Sequence, residues 1–148
     1  MNNEFTCFFY GTLIFPQILN RVLENGRSNT EKPINIKESV SAVLKGYKRH
    51  KVIGAVYPAI LKGDDLKDEI TGVLLGGLSS QDIARLDNFE GSQYEKKKVQ
   101  VYVDNNLIEA MTYVWKDSPT LLHDEDWNPK DFEKQLYKWN TTEEVLNL

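Results

Sequence analysis

The chain is poor in the residues that most readily mark a function: one cysteine, two histidines and two methionines among 148 residues, and no long apolar run. Cys7 has no second cysteine to pair with and lies in an apolar, strand-like stretch, which suits a reducing compartment. It also lacks the basic neighbours of a reactive thiolate. His50 and His123 stand apart from any cysteine or carboxylate at metal-ligand spacing, so no metal site is expected. Met1-Asn2-Asn3-Glu4 has neither the basic start nor the long apolar stretch of a signal peptide, and no segment is long and apolar enough to span a bilayer. The expectation is a cytoplasmic protein with no membrane partner, in which the sequon Asn140-Thr141-Thr142 carries no meaning. Basic density is scarce as well. Net charge is −4, and the one compact basic run, Lys96-Lys97-Lys98, is too short to track phosphates, which excludes nucleic acid as a partner.

What is present is an ordinary globular composition, 41% hydrophobic and 27% charged, and a length that fits one domain over residues 1–148. Phe5 to Tyr10 is a continuous apolar and aromatic run, the pattern of a strand buried on both faces. Pro16 suits a first helical position, Ile18, Leu19, Val22 and Leu23 recur on one helical face, and Gly26 is placed to stop that helix. Residues 27–38 read as a surface loop. Val40, Ala42 and Leu44 alternate as a strand, a short strand is expected at Lys51 to Ile53, and Ala55 to Ile60 reads as an extended loop entering another. Ile70 to Leu75 is an apolar strand closed by Gly76-Gly77.

Ser79 then offers an N-cap with Asp82 in the capping-box position, followed by Ile83, Leu86 and Glu90 at helical spacing and a stop at Gly91. Val99, Val101 and Val103 alternate with polar residues up to a hairpin turn at Asp104-Asn105-Asn106. Ile108, Ala110, Thr112 and Val114 carry the return strand. Lys116 to Asn128 is polar and irregular, a candidate segment to close over a pocket, with Trp127 placed to border it. Asp124-Glu125-Asp126 reads as a solvated stretch. A last helix starts at Pro129 with Phe132, Leu136 and Trp139 on one face. The fold class is α+β: a mixed, strongly curved sheet with a few packed helices.

Glu90 breaks a local rule. Positions 83, 86 and 90 share one helical stripe, so the Glu90 side chain points where Ile83 and Leu86 point, inward. A carboxylate there is partly desolvated and sits at a helix C-terminus, where the dipole disfavours negative charge. Both effects raise its pKa, the tuning that acid/base chemistry near neutral pH requires. Periodicity alone leaves a second reading open, a solvated carboxylate in a last turn, because a small shift of the boundary rotates the stripe. Glu95 shares strand parity with Val99 and Val101 and is the other acid able to face inward, although Lys97 has that parity too. The second feature is Tyr10-Gly11-Thr12-Leu13 at the end of the first strand, where glycine permits a turn exposing successive N–H groups, a nest for carboxylates and oxyanions.

Together these stretches resemble a family. Phe8-Phe9-Tyr10-Gly11-Thr12-Leu13, Tyr57-Pro58-Ala59-Ile60, Ile70-Thr71-Gly72-Val73-Leu74 and Leu86-Asp87-Asn88-Phe89-Glu90-Gly91 come in that order. Tyr94-Glu95-Lys96 and Ala110-Met111-Thr112-Tyr113-Val114-Trp115 follow. In this order and spacing, over about residues 5–116, the chain is similar to the γ-glutamylcyclotransferase-like family, in particular its plant and fungal avirulence-induced-protein branch. The resemblance implies a small barrel-like mixed β-sheet with flanking α-helices. It implies a small-molecule γ-glutamyl substrate from which 5-oxoproline is released by attack of the substrate's own α-amine on its γ-carbonyl, with no cofactor. It assigns Glu90 as the acid/base residue and the backbone of Tyr10 to Leu13 as the holder of the γ-glutamyl moiety, with Tyr57, Pro58, Ala59 and Tyr94 also at the substrate. Lys96 stands where the family often has arginine, so the bidentate geometry of a guanidinium is lost. The alternative is a non-catalytic binding protein of the same fold. Retention of Glu90 favours the enzyme, since a binding module gains little from a half-buried acid that is costly to desolvate.

Overall fold

The computed structural model describes residues 4–65 and 67–138; Trp139 and the sequon at Asn140 lie outside the described residues. The aromatic run forms β1 (Phe5–Phe9), and Pro16 opens α1 (Pro16–Glu24), whose Ile18, Leu19, Val22 and Leu23 are all buried. β2 (Val40–Lys45) lies where the alternation puts it. The next strand is a correction: β3 is Tyr47–Lys51, and beyond it Val52 makes only an isolated bridge, to Leu122. Its partner explains the shift, because β4 (Pro58–Lys62) pairs antiparallel with it from Tyr47 opposite Lys62 to Lys51 opposite Pro58. Pro58 is tolerated as the first residue of its strand.

β5 (Glu69–Leu78) does not stop at the glycine pair but runs through it. Phe5 faces Leu78 while Cys7 faces Leu75, so β5 accommodates one extra residue there as a bulge. Ser79 caps α2 (Ser80–Glu90) through a full capping box with Asp82. β6 (Tyr94–Val103) and β7 (Asn106–Trp115) form the expected hairpin about Asp104-Asn105, with Asp104 at φ 55°. α3 is Pro129–Lys138, with Phe132 and Leu136 buried.

The strands close a barrel in the order β1-β5-β2-β6-β7, with β3 and β4 as a separate two-stranded sheet. Contacts between barrel neighbours are antiparallel except β1 with β7, which is parallel and makes the sheet mixed. Two apolar cores result. One fills the barrel, with Phe8, Leu44, Leu74, Val101 and Val114 coming from its five strands. The other lies between the barrel wall and the helices, where Cys7, Phe9 and Trp115 meet Leu19, Leu86 and Phe132. β1 feeds both, which is why its sequence shows no alternation.

Residues 116–128 are stitched to the end of β3. Ile53 N–H donates to the Leu121 carbonyl at 2.8 Å, His123 N–H to that of Lys51 at 2.8 Å, and Lys51 N–H to that of Glu125 at 3.0 Å. Glu125 and Asp126 pair with Lys51 and Arg49, at 3.0 and 2.8 Å, so this acidic stretch is matched to a basic strand and is not merely solvated. Among the described residues no helix is long and apolar enough to cross a membrane.

Candidate active site

A cavity of about 340 Å³ opens where the end of β1, the entry to β4 and the end of α2 converge on the β6–β7 hairpin. Tyr10, Gly11, Thr12, Leu13, Tyr57, Pro58, Glu90 and Tyr94, all nominated from sequence, lie on its wall. Ala59 does not; it is wholly buried in the helix-side core next to the wall residue Pro58. Nor does Trp127, which is buried, donates its indole N–H to the Val56 carbonyl at 2.7 Å and lies under the Arg49 guanidinium at 5.4 Å. No residue of the 116–128 stretch lines this cavity. Glu95 is exposed and pairs with Lys97 at 3.1 Å.

The loop after β1 is shaped by close packing. A Cβ on Gly11 would come within 2.9 Å of Pro58 Cγ, so only glycine lets the chain lie this near β4. From Gly11 the chain turns into a short 3₁₀ segment, Thr12–Ile14, with no side-chain cap. Its first intrahelical bond runs from Ile14 N–H to the Gly11 carbonyl at 3.0 Å, which leaves the Thr12 and Leu13 N–H groups without an intrahelical acceptor. Arg49 holds the loop, donating to the Tyr10 carbonyl at 3.0 Å.

Glu90 is the last residue of α2, and Gly91 ends the helix at φ +81°, a conformation that disfavours any side chain. Ile83 and Leu86 of its stripe are buried, and the stripe delivers Glu90 to the cavity wall. Glu90 is half-buried, and among the described residues no hydrogen bond or ion pair reaches its carboxyl. Burial, with the negative charge of Asp87 second, pushes its pKa up to about 8. Burial likewise raises the tyrosines Tyr10, Tyr94 and Tyr113, which are neutral phenols here, and pushes the Cys7 thiol up to about 12. No three His, Cys, Asp or Glu side chains among the described residues gather so as to hold a metal ion.

Residues 7–129 match the family described as gamma-glutamyl cyclotransferase, AIG2-like. The chain belongs to this family. AIG2-like protein C of Arabidopsis thaliana is 32% identical over 133 residues, spanning 85% of this chain and 70% of that protein. AIG2-like protein D of the same plant is 31% identical over 149 residues, 95% and 90% of the two chains. A solution structure of an Arabidopsis thaliana protein superposes with a TM-score of 0.66 at 28% identity, covering 92% of this chain and 85% of that one. A gamma-glutamyl cyclotransferase shares the fold, with a TM-score of 0.59 at 15% identity over 97% and 98% of the chains.

In this AIG2-like chain the cavity also includes residues that sequence reading passed over: Phe89, Ser92, Gln93 and, above all, Tyr113. A signal for Tyr113 was available. Counting back from the Asp104-Asn105 turn pairs Val103 with Asn106, Lys96 with Tyr113 and Tyr94 with Trp115, which puts Tyr113 on the same sheet face as Tyr94. Lys96, the family-atypical position, grips both carboxylate oxygens of Asp87, at 3.2 and 3.0 Å.

Proposed function

We propose that this AIG2-like chain is a γ-glutamyl cyclotransferase that releases 5-oxoproline from a γ-glutamyl compound, with Glu90 as its acid/base residue. The observation carrying this reading is a half-buried carboxyl without a hydrogen-bond or ion-pair partner among the described residues, raised to about 8, in the same cavity wall as the uncapped turn at Thr12 and Leu13. The substrate's α-amine arrives as an ammonium, and the Glu90 carboxylate takes its proton. The freed amine attacks the γ-carbonyl and closes a five-membered ring. Backbone N–H groups of the Tyr10 to Leu13 loop hold the γ-glutamyl moiety and stabilise the tetrahedral oxyanion. The proton on Glu90 then passes to the leaving nitrogen, which departs as a neutral amine. The ring nitrogen gives its surplus proton to the regenerated Glu90 carboxylate and from there to solvent, leaving the single lactam N–H of 5-oxoproline. Nucleophile and electrophile belong to one molecule, so holding the glutamyl chain bent in the cavity contributes much of the rate. Tyr57, Pro58 and Tyr94 shape that bend, and Ala59 acts from behind the wall by backing Pro58. The reaction runs in the cytoplasm, where the buried thiol of Cys7 stays reduced.

The test is 5-oxoproline release, followed by mass spectrometry, from a panel of γ-glutamyl amines, amino acids and peptides. Wild type turns over at least one member, and Glu90→Gln, which keeps the shape and removes the proton chemistry, falls by a factor of about 10² or more. Binding without turnover on any member makes the chain a γ-glutamyl-binding protein instead. Turnover that survives Glu90→Gln removes Glu90 from the chemistry.

A further inference from the structure

The cavity wall around Glu90 has an uneven hydrogen-bonding character. Tyr10 donates its hydroxyl proton to the Tyr113 carbonyl at 2.7 Å, Tyr94 to the Pro58 carbonyl at 2.8 Å, and Tyr113 to Asp87 Oδ1 at 2.6 Å. A phenol has one proton to give and lone pairs to receive with. With their protons committed to the protein, these tyrosines meet any further partner only as acceptors. Among the described residues Glu90 is the sole charged side chain on the wall, and no lysine or arginine joins it. The part of the wall formed by Glu90 and these three phenols therefore suits a group rich in N–H.

Tyr113 differs from the other two in what holds its proton. Tyr10 and Tyr94 are bonded to backbone carbonyls, whereas Tyr113 is bonded to the carboxyl of Asp87, one helical turn before Glu90. The β6–β7 register sets Lys96 directly opposite Tyr113, and both reach the same Asp87. Lys96 Nζ donates to both oxygens, at 3.2 Å to the Oδ1 that accepts from Tyr113 and at 3.0 Å to Oδ2, so it holds the carboxyl in place as an acceptor for the phenol.

We infer that Tyr113 contacts the substrate, accepting a hydrogen bond from the α-amino group of the γ-glutamyl moiety, and that Asp87, gripped by Lys96, is the positioning residue that keeps the Tyr113 lone pairs free for it. The inference rests on the proposed cyclotransferase reading and adds a recognition element for the nucleophile. When Glu90 takes one proton from the ammonium, a second N–H stays on the Tyr113 oxygen. The lone pair just released is then steered away from both and toward the γ-carbonyl.

The test compares L-glutamine with glutaramate, the same γ-amide lacking the α-amine, by calorimetry in the Glu90→Gln background, where neither ligand is consumed. Glutamine binds the more tightly by about tenfold, and Tyr113→Phe, which keeps the ring, removes most of that preference. Asp87→Ala removes it too, because the Tyr113 proton loses its acceptor and the hydroxyl is then free to donate into the cavity. Asp87→Ala has no further effect on the preference in the Tyr113→Phe background. A second readout is independent of ligand: the Tyr113 hydroxyl proton gives a downfield NMR resonance that both substitutions abolish. A preference unchanged by Tyr113→Phe, or an Asp87→Ala effect undiminished in that background, overturns the inference while wild-type turnover leaves the cyclotransferase reading standing. If no γ-glutamyl compound binds and wild type releases no 5-oxoproline, the functional reading itself falls and takes this one with it.

Discussion

Glu90 carries the largest consequences of any single residue, because its carboxyl is raised from an ordinary 4.5 to about 8 by burial and then by Asp87. A base must be deprotonated to act, so kcat/KM on a γ-glutamyl substrate rises as pH passes through about 8 and flattens above it. A rate already flat from pH 6 would mean that a different group takes the proton. The same shift has a thermodynamic face. A carboxyl with a raised folded-state pKa binds more protons folded than unfolded, so its contribution to stability is complete below about 4.5 and is lost as pH climbs through about 8. Glu90→Gln has no such proton to lose. Its melting temperature minus that of wild type therefore grows between pH 5 and 9 in scanning calorimetry, and a constant difference would show that Glu90 is not a desolvated carboxyl.

The element that presents Glu90 is α2, and its anchorage is electrostatic. Asp82 is 1% exposed, accepts from Ser79 N–H at 3.0 Å to complete the cap, and pairs with both Arg27 and Arg85. Arg85 goes on to the Glu31 carboxylate at 2.8 Å and to the Asn25 carbonyl at 2.8 Å, so the polar stretch after α1 is fastened to α2. Asp82→Ala removes the reciprocal half of the capping box and leaves two largely buried guanidiniums with Glu31 as their only remaining shared carboxylate among the described residues, which costs about 3–5 kcal/mol in urea unfolding. A loss below about 1 kcal/mol would reduce the cluster to a surface ion pair. Sequence reading had Asp82 only as a cap; Arg85 lies three positions on along the same helix, within reach of its periodicity, whereas Arg27 lies 55 positions away, too far for periodicity to connect.

At the scale of the whole molecule the barrel separates two cores, and the cavity opens at the end of β1, which feeds both, so that Phe8 and Tyr10 of the barrel core stand on its wall beside Phe9, Leu13 and Tyr94 of the other. Leu44 is 2% exposed inside the barrel and is not among the cavity-lining residues. Leu44→Ala leaves a hole in the closed interior and costs about 2–5 kcal/mol, read from the urea midpoint, while the folded variant keeps its KM. A changed KM in the folded variant would mean that the hole is transmitted to the site through Phe8 and Tyr10, which belong to the same core and line the cavity. The stretch 116–128 has a structural part at this scale, since it straps β3 and supports Arg49, which in turn holds the Tyr10 carbonyl.

Local repeats along the chain determined a good deal unaided: α1 with its buried stripe, the capped α2, the β6–β7 hairpin and the start of α3. The inward direction of Glu90 belongs with these, because a helix fixes each side chain relative to neighbours three and four positions away, and Ile83 and Leu86 had already declared their side. The nominated loop from Tyr10 to Leu13 came with it, its glycine marking a turn. Tertiary structure alone decided the rest. β3 begins at Tyr47 and not at the expected Lys51, because its pairing with β4 and its acidic partners 74 and 77 positions away leave no local pattern. The passage of β5 through its glycines depends on the bulge opposite Phe5 and Cys7, and the place of Ala59 behind the wall depends on how β4 packs. Tyr113 joins the site because barrel closure lays β7 beside β1, as in the bond from Thr112 Oγ1 to the Phe8 carbonyl across 104 positions at 2.9 Å. Periodicity reports which way a side chain faces within its own element; only closure of the barrel decides which other elements it faces.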